Sequence, residues 1–88
     1  MKHWTIIFRA LANINRLKII KLLVKEESLN VSDIADKINI SIKATSKHLI
    51  ILNNLNILES DGKHGHVFYK LNPNLPSDIR KIVKLFIQ

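Results

Sequence analysis

The chain has 88 residues, 47% of them hydrophobic, and 14 Lys and Arg residues against seven Asp and Glu give a net charge of +7. This length suits one domain with a modest core, and the charge favours a polyanionic partner, either nucleic acid or an anionic membrane surface. The lack of cysteine excludes disulfides and thiolate metal sites, and the lack of an apolar run of about 18 residues predicts a cytoplasmic protein.

Two helices are predicted in the first third of the chain. The apolar residues of the first have the i, i+3, i+4, i+7 spacing of a one-sided helix. They are Trp4, Ile7, Phe8 and Leu11. Asn13 can cap a second helix that runs from Arg16 to about Lys25. Its apolar residues cover more than half of its circumference, so we expect it to be central.

A helix-turn-helix pattern follows. Asn30 and Asp33 form a variant capping box at the start of a short helix. Ser41 can cap the next helix, because its side-chain oxygen can accept a hydrogen bond from a first-turn amide. Asn56 can then adopt the left-handed conformation of a C-terminal cap. Two short helices joined by about three residues predict a helix-turn-helix over about residues 31–55.

The second helix of this pair has one apolar and one cationic side. Thr45, Leu49 and Leu52 fall on the apolar side. The opposite side carries Lys43, Ser46, Lys47 and Ile50. A helix about 10–12 Å across fits the DNA major groove, so we interpret it as a recognition helix. The alternative is an ordinary surface helix with solvated lysines.

A β-hairpin is predicted after this helix, over about residues 57–71. Two β-prone runs flank a Gly-bounded tip from Gly62 to Gly65. A basic hairpin beside a helix-turn-helix is a wing, which can contact phosphates or the minor groove. We assign this role to Lys63, His64 and His66.

The last predicted helix, about residues 77–87, is amphipathic. Its apolar residues are Ile79, Ile82, Val83 and Phe86, and its basic residues are Arg80, Lys81 and Lys84. The same arrangement occurs in helices that lie on membranes, so peripheral membrane association is an alternative function for this segment.

Three local patterns occur together in the chain. They are Phe8 to Ile20, the Ser46-Lys47-His48-Leu49 sequence within the second helix of the pair, and Asp61 to Leu71. In this order they resemble the Leu-Ala-Asp-Pro-Thr-Arg-Leu-x-Ile-Leu signature, the Ser-x-His-Leu core and the wing of the ArsR/SmtB family of winged-helix transcriptional regulators.

The resemblance implies a fold and an assembly. We expect one winged helix-turn-helix domain over residues 1–88, mainly α-helical with a β-hairpin wing, in the order α-α-α-α-β-β-α. The first and last helices would form a homodimer interface from Trp4, Ile7, Phe8, Leu11, Ile79, Ile82, Val83 and Phe86. The alternative is that both apolar stripes cover the core of the monomer. The DNA-facing positions would be Ser41, Ile42, Lys43, Ser46 and Lys47.

Two departures from the family pattern concern the recognition helix. Ile42 stands where the family often has glutamine, and Ile50 where it has a polar residue. Both could contact thymine methyl groups, or the helix could be rotated slightly from the predicted orientation. His48 lies at the edge of the buried side, which favours a structural hydrogen bond over a base contact.

The residues that bind metal in the family are missing from this chain. Asn30 and Ser32 occupy the positions of its Cys-x-Cys pair, and hydroxyl and amide groups do not replace thiolates for soft metals. The last helix has Asp78 but no histidine, and His64 and His66 lie on the wing. We therefore expect no metal and no cofactor. The sequence contains no phosphate-binding loop, carboxylate pair or nucleophile elbow, so we do not expect an enzyme.

The sequence thus predicts a dimeric regulator, more often a repressor in this family, that binds double-stranded DNA at a pseudo-palindrome. Two recognition helices would enter successive major grooves about 34 Å apart, which places half-sites roughly 10 base pairs apart. The main alternative is a winged helix that serves as a protein-protein interaction module.

Overall fold

The computed structural model describes residues 2–86, and for Phe86 it describes the backbone only. The elements are α1 Lys2–Leu11, α2 Ile14–Lys25, β1 Leu29–Asn30, α3 Val31–Ile38, α4 Ile42–Asn54, β2 Leu58–Lys63, β3 His66–Leu71 and α5 Ser77–Phe86. The expected class, mainly helical with a β-hairpin wing, is confirmed. The expected element order is corrected by one addition, the short strand β1 before α3.

Polar side chains cap the N-terminal ends of three helices. The Asn13 side chain accepts hydrogen bonds from the backbone amides of Asn15 and Arg16, at 3.0 and 3.1 Å. Helix α2 therefore begins at Ile14, two residues earlier than predicted. The other two predicted caps are confirmed, because the Asn30 side chain accepts from the Asp33 amide and the Ser41 hydroxyl accepts from the Ala44 amide. Each cap satisfies an amide that the first helical turn leaves unpaired.

Asparagines in the left-handed region end both helices of the helix-turn-helix. Asn39 and Asn56 each have φ 59°. After α4, the amide of Asn56 donates to the Asn53 carbonyl and the amide of Ile57 donates to the Leu52 carbonyl. This is the Schellman arrangement, which pairs the last carbonyls of a helix and turns the chain sharply. The turn at Asn39 leads within two residues to Ser41 and so sets the direction in which α4 begins.

The sheet has three antiparallel strands in the order β1-β3-β2. Strand β2 extends through Lys63, which pairs with His66. The turn therefore contains only His64, φ 52°, and Gly65, φ 79°, and the predicted tip from Gly62 to Gly65 is corrected to two residues. Two consecutive residues with positive φ match the twist of the flanking strands in a tight hairpin.

The core lies where the five helices meet the base of the hairpin. Its buried residues are Ile7, Leu11, Ile19, Ile20, Leu23, Ile34, Leu49, Leu52, Ile57, Leu58, Leu75, Ile79 and Val83. Four of them, Ile7, Leu11, Ile79 and Val83, were predicted to form the dimer interface. Each of them is at most 8% exposed within one chain, so they pack in the monomer core and leave little surface for a second copy.

Helix α5 uses its apolar side within the fold. Ile79 and Val83 of this side are buried against the core. Over the described part of the chain, no helix has the length and apolar character needed to cross a membrane.

Candidate DNA interface

Helix α4 is anchored by its apolar side. Thr45, Leu49 and Leu52 are fully buried, and the Thr45 hydroxyl donates a 2.8 Å hydrogen bond to the Ser41 carbonyl, which satisfies that buried hydroxyl. This confirms the predicted buried side of the helix. The helix is therefore held in one rotational position with a defined outer surface.

The outer surface of α4 is cationic. Ser41, Ile42, Lys43 and Lys47 are exposed, and Ser46 is half-buried. Within residues 2–86 the lysine ion pairs are Lys63 with Asp61 and Lys70 with Glu59, so neither Lys43 nor Lys47 is in one. Their charges remain available to an anion outside the chain. An ammonium group on a flexible stem suits both phosphate oxygens and the acceptor edge of guanine.

A cleft of about 540 Å³ separates α4 from the wing. Ser46 lines it on the helix side, Ser32 lines it at the start of α3, and Gly65, His66 and Val67 line it on the hairpin side. The fold thus brings the middle of the predicted recognition helix beside the predicted wing. Such a cleft can receive one strand of a duplex whose groove holds α4.

The structure does not bring Lys63 to this cleft. Lys63 lines another cleft, together with Glu26, Glu27 and Asp61, and its ammonium group lies 3.8 Å from the Asp61 carboxylate. Both members of this pair are largely exposed, so the pair contributes little to stability. Among the wing residues predicted to contact DNA, His66 therefore lies beside α4, His64 is exposed in the turn, and Lys63 lies among acidic residues.

Arg16 connects three helices, which the sequence did not reveal. Its guanidinium donates to the carbonyls of Arg9 and Ala10 at the end of α1 and approaches the Nδ1 atom of His48 in α4 at 3.2 Å. A guanidinium can only donate, so His48 Nδ1 accepts and the imidazole is neutral. Burial, and then the nearby Arg16 charge, lower the pKa of His48. His48 thus makes the predicted structural hydrogen bond.

A second basic surface was also missed. Lys18, Lys21 and Lys25 of α2 and Lys37 of α3 line a shallow cleft of about 450 Å³. Their i, i+3, i+7 spacing on α2 was visible in the sequence, but only the packing of α3 against α2 brings Lys37 to the same place. All charged residues that line this cleft are cationic.

Exposed apolar surface remains on α1 and α5. Phe8 is 56% exposed and Leu85 is 76% exposed, whereas Trp4 and Ile82 are half-buried. The Trp4 and Phe8 rings stack at 5.3 Å. These residues therefore leave apolar surface on both helices that the chain itself does not cover. The Phe86 side chain, which was also predicted to contact a second copy, lies outside the described residues.

Two positions identified as sites of metal ligands in related sequences have other contacts here. The Asn30 side chain caps α3, and Ser32 lines the cleft beside the wing. In the part of the chain that the structure describes, no three His, Asp or Glu side chains are close enough to hold one ion. His3 and Asp78 form a pair at 3.9 Å without a third ligand.

Sequence comparisons give related proteins. Residues 13–60 match the model described as "Bacterial regulatory protein, arsR family". The chain is 45% identical over 65 residues to the cadmium resistance transcriptional regulatory protein CadC of Lactococcus lactis subsp. lactis, which covers 72% of this chain and 55% of CadC. The chain thus spans about half the length of this relative. It is 33% identical over 72 residues to the transcriptional repressor SdpR of Bacillus subtilis (strain 168), covering 82% of this chain and 79% of SdpR.

Comparison with solved structures gives the same fold. The homodimeric winged helix-turn-helix DNA-binding domain Mb0332 from Mycobacterium bovis superposes with a TM-score of 0.80 at 23% identity, covering 96% of this chain and 74% of that chain. This likeness confirms the winged helix-turn-helix fold class. The proteins that match by sequence regulate transcription and are not enzymes.

Proposed function

We propose that this chain, which belongs to the arsR family of bacterial regulatory proteins and is a DNA-binding transcriptional regulator, represses transcription in the cytoplasm as a homodimer on a pseudo-palindromic operator. The observation that carries the proposal is the outer surface of α4. It presents two lysines without an ion pair among the described residues, on a helix whose other side is locked into the core.

The proposed contacts follow from this surface. Lys43 and Lys47 contact guanine edges or phosphates, and Ser46 contacts the strand that enters the cleft beside the wing. His66 and His64 contact the backbone from the wing side. Lys63 contributes less than the sequence suggested, because it pairs with Asp61 and shares its cleft with Glu26 and Glu27.

The dimer forms through α1 and α5. Trp4, Phe8, Ile82 and Leu85 supply the apolar surface, since an exposed phenylalanine and leucine on neighbouring helices are unfavourable in water and favourable against a second copy. The His3 imidazole lies 3.9 Å from the Asp78 carboxylate and so brings the two helices together in one chain. A two-fold axis through this surface would present two copies of α4 to the same face of the DNA.

Metal does not control this protein, in our proposal. The side chains at Asn30 and Ser32 offer no thiolate, and the last helix offers Asp78 without a histidine. The matching relative CadC is named for cadmium resistance. We assign no metal response to this chain, whose residues 1–88 act as one DNA-binding domain.

The test is selection of bound duplexes from a randomised library at two salt concentrations. We expect enrichment of a pseudo-palindrome with half-sites roughly 10 base pairs apart. Uniform binding across sequences that vanishes as salt rises would show that only the net charge of +7 attracts DNA. That result would reject the operator and favour the protein-protein interaction module.

A further inference from the structure

We propose that Ile42 determines sequence specificity by placing its side chain against the 5-methyl group of a thymine in each half-site. This inference rests on the operator binding proposed above and adds the base that the first residue of the recognition helix selects.

Neither packing nor helix formation explains an isoleucine at this position. Ile42 is 53% exposed, and it is absent from the residues that form or cover the core in the described part of the chain. A β-branched side chain is also a weaker helix former than the straight-chain residues that usually occupy exposed helix positions. A contact with an apolar group outside the chain would explain the isoleucine at this position.

The surroundings of Ile42 identify that contact. Lys43 follows it directly, and Ser46, one helical turn later, lines the cleft beside the wing. A cationic surface at the N-terminal end of a recognition helix is where base edges are read. The thymine methyl is the apolar group that the base edges present in the major groove. Because the isoleucine side chain has one strongly preferred χ1 rotamer in a helix, it loses little freedom when it packs there.

The chain provides a matched control in Ile50. It has the same side chain, is 56% exposed and lies in the same helix. It is about 12 Å further along the axis, at 1.5 Å per residue. It therefore lies well beyond the N-terminal residues with which a recognition helix contacts base edges. We therefore assign the thymine contact to Ile42 and not to Ile50.

The experiment replaces thymine by deoxyuridine, one position at a time, in a duplex selected from the randomised library. Deoxyuridine lacks only the methyl group. We expect one position in each half-site at which uracil weakens binding of the wild-type protein about fourfold, the value of one buried methyl group. Ile42→Ala should bind the thymine and uracil duplexes equally, Ile50→Ala should keep the fourfold difference, and Lys43→Ala should weaken binding to both duplexes by the same factor.

The outcomes separate this inference from the proposed function. Equal binding of thymine and uracil duplexes by the wild-type protein would reject the thymine contact and leave operator binding intact. A fourfold difference that persists in Ile42→Ala, or that disappears in Ile50→Ala, would reject the assignment to Ile42. If no duplex is enriched at all, operator binding fails, and this inference fails with it.

Discussion

Replacement of Lys43 or Lys47 by alanine should weaken operator binding without affecting the fold. Both side chains are exposed, and neither is in an ion pair among residues 2–86. Surface substitutions of this kind usually change the free energy of unfolding by less than about 0.5 kcal/mol. Any loss of DNA affinity would therefore come from lost DNA contacts.

The expected magnitude follows from counterion release. Each phosphate contact contributes about 0.9 to the slope of log affinity against log salt, so a variant that loses one contact in each protomer should lower the slope by about 1.8. At 0.15 M salt this loss corresponds to about 30-fold weaker binding, since the released ions are worth about fivefold per contact at that concentration.

The assay is fluorescence anisotropy of the labelled operator at four salt concentrations between 0.05 and about 0.3 M, a range in which the dependence is steep. Lys21→Ala is the matched control, because it removes the same charge from an exposed position on α2. It should change affinity much less. Unchanged affinity and slope in both α4 variants would refute the assignment of α4 as the recognition helix, and an equal loss in Lys21→Ala would show that only net charge matters.

Four further predictions concern assembly, stability, pH and metals. Phe8→Glu should convert the dimer to a monomer and abolish operator binding, whereas Ile14→Glu, at an exposed position on α2, should remain dimeric; analytical ultracentrifugation decides, and a dimeric Phe8→Glu protein would exclude this interface. Leu49→Ala should lower the free energy of unfolding by about 2–5 kcal/mol in a urea titration, because the side chain is fully buried; a smaller loss would mean that α4 is loosely held. The pKa of His48 is lowered in the fold. As the pH falls through about 6.5, the ordinary pKa of histidine, the unfolded chain binds the proton more readily, so the free energy of unfolding decreases. The stability advantage of the wild-type protein over His48→Gln should thus shrink between about pH 7.5 and 5.5, and a constant difference would argue against the neutral imidazole beside Arg16. Zinc, cadmium or arsenite at micromolar concentration should not release the protein from its operator, and stoichiometric metal binding with loss of DNA affinity would overturn the proposal.

Features that depend on neighbouring residues could be predicted from the sequence. The caps Asn13, Asn30 and Ser41 each bond an amide two or three residues away, so the residue type and its spacing contain the whole interaction. Asn56 ends α4 for the same reason, since its left-handed conformation is a local property. The buried side of α4 follows from its apolar periodicity.

Features that join distant segments could not be predicted in this way. Strand β1 is two residues long, too short to show a period, and exists because β3 offers an unpaired edge. Arg16 and His48 are 32 residues apart, and nothing local links them. The length of the hairpin turn depends on which residues pair across the strands, so Lys63 belongs to β2 although its sequence context favours the tip.

The amino-acid sequence by itself determined the helices, their caps, the wing and the basic outer side of α4, because each depends on contacts within a few residues. The tertiary structure decided which apolar residues are available to a second copy. Ile7 and Phe8 are adjacent and both apolar, yet the packing of α1 against the core buries the first and leaves the second exposed. Periodicity identifies an apolar side of a helix, but the area of that side covered within one chain depends on the position of every element around it.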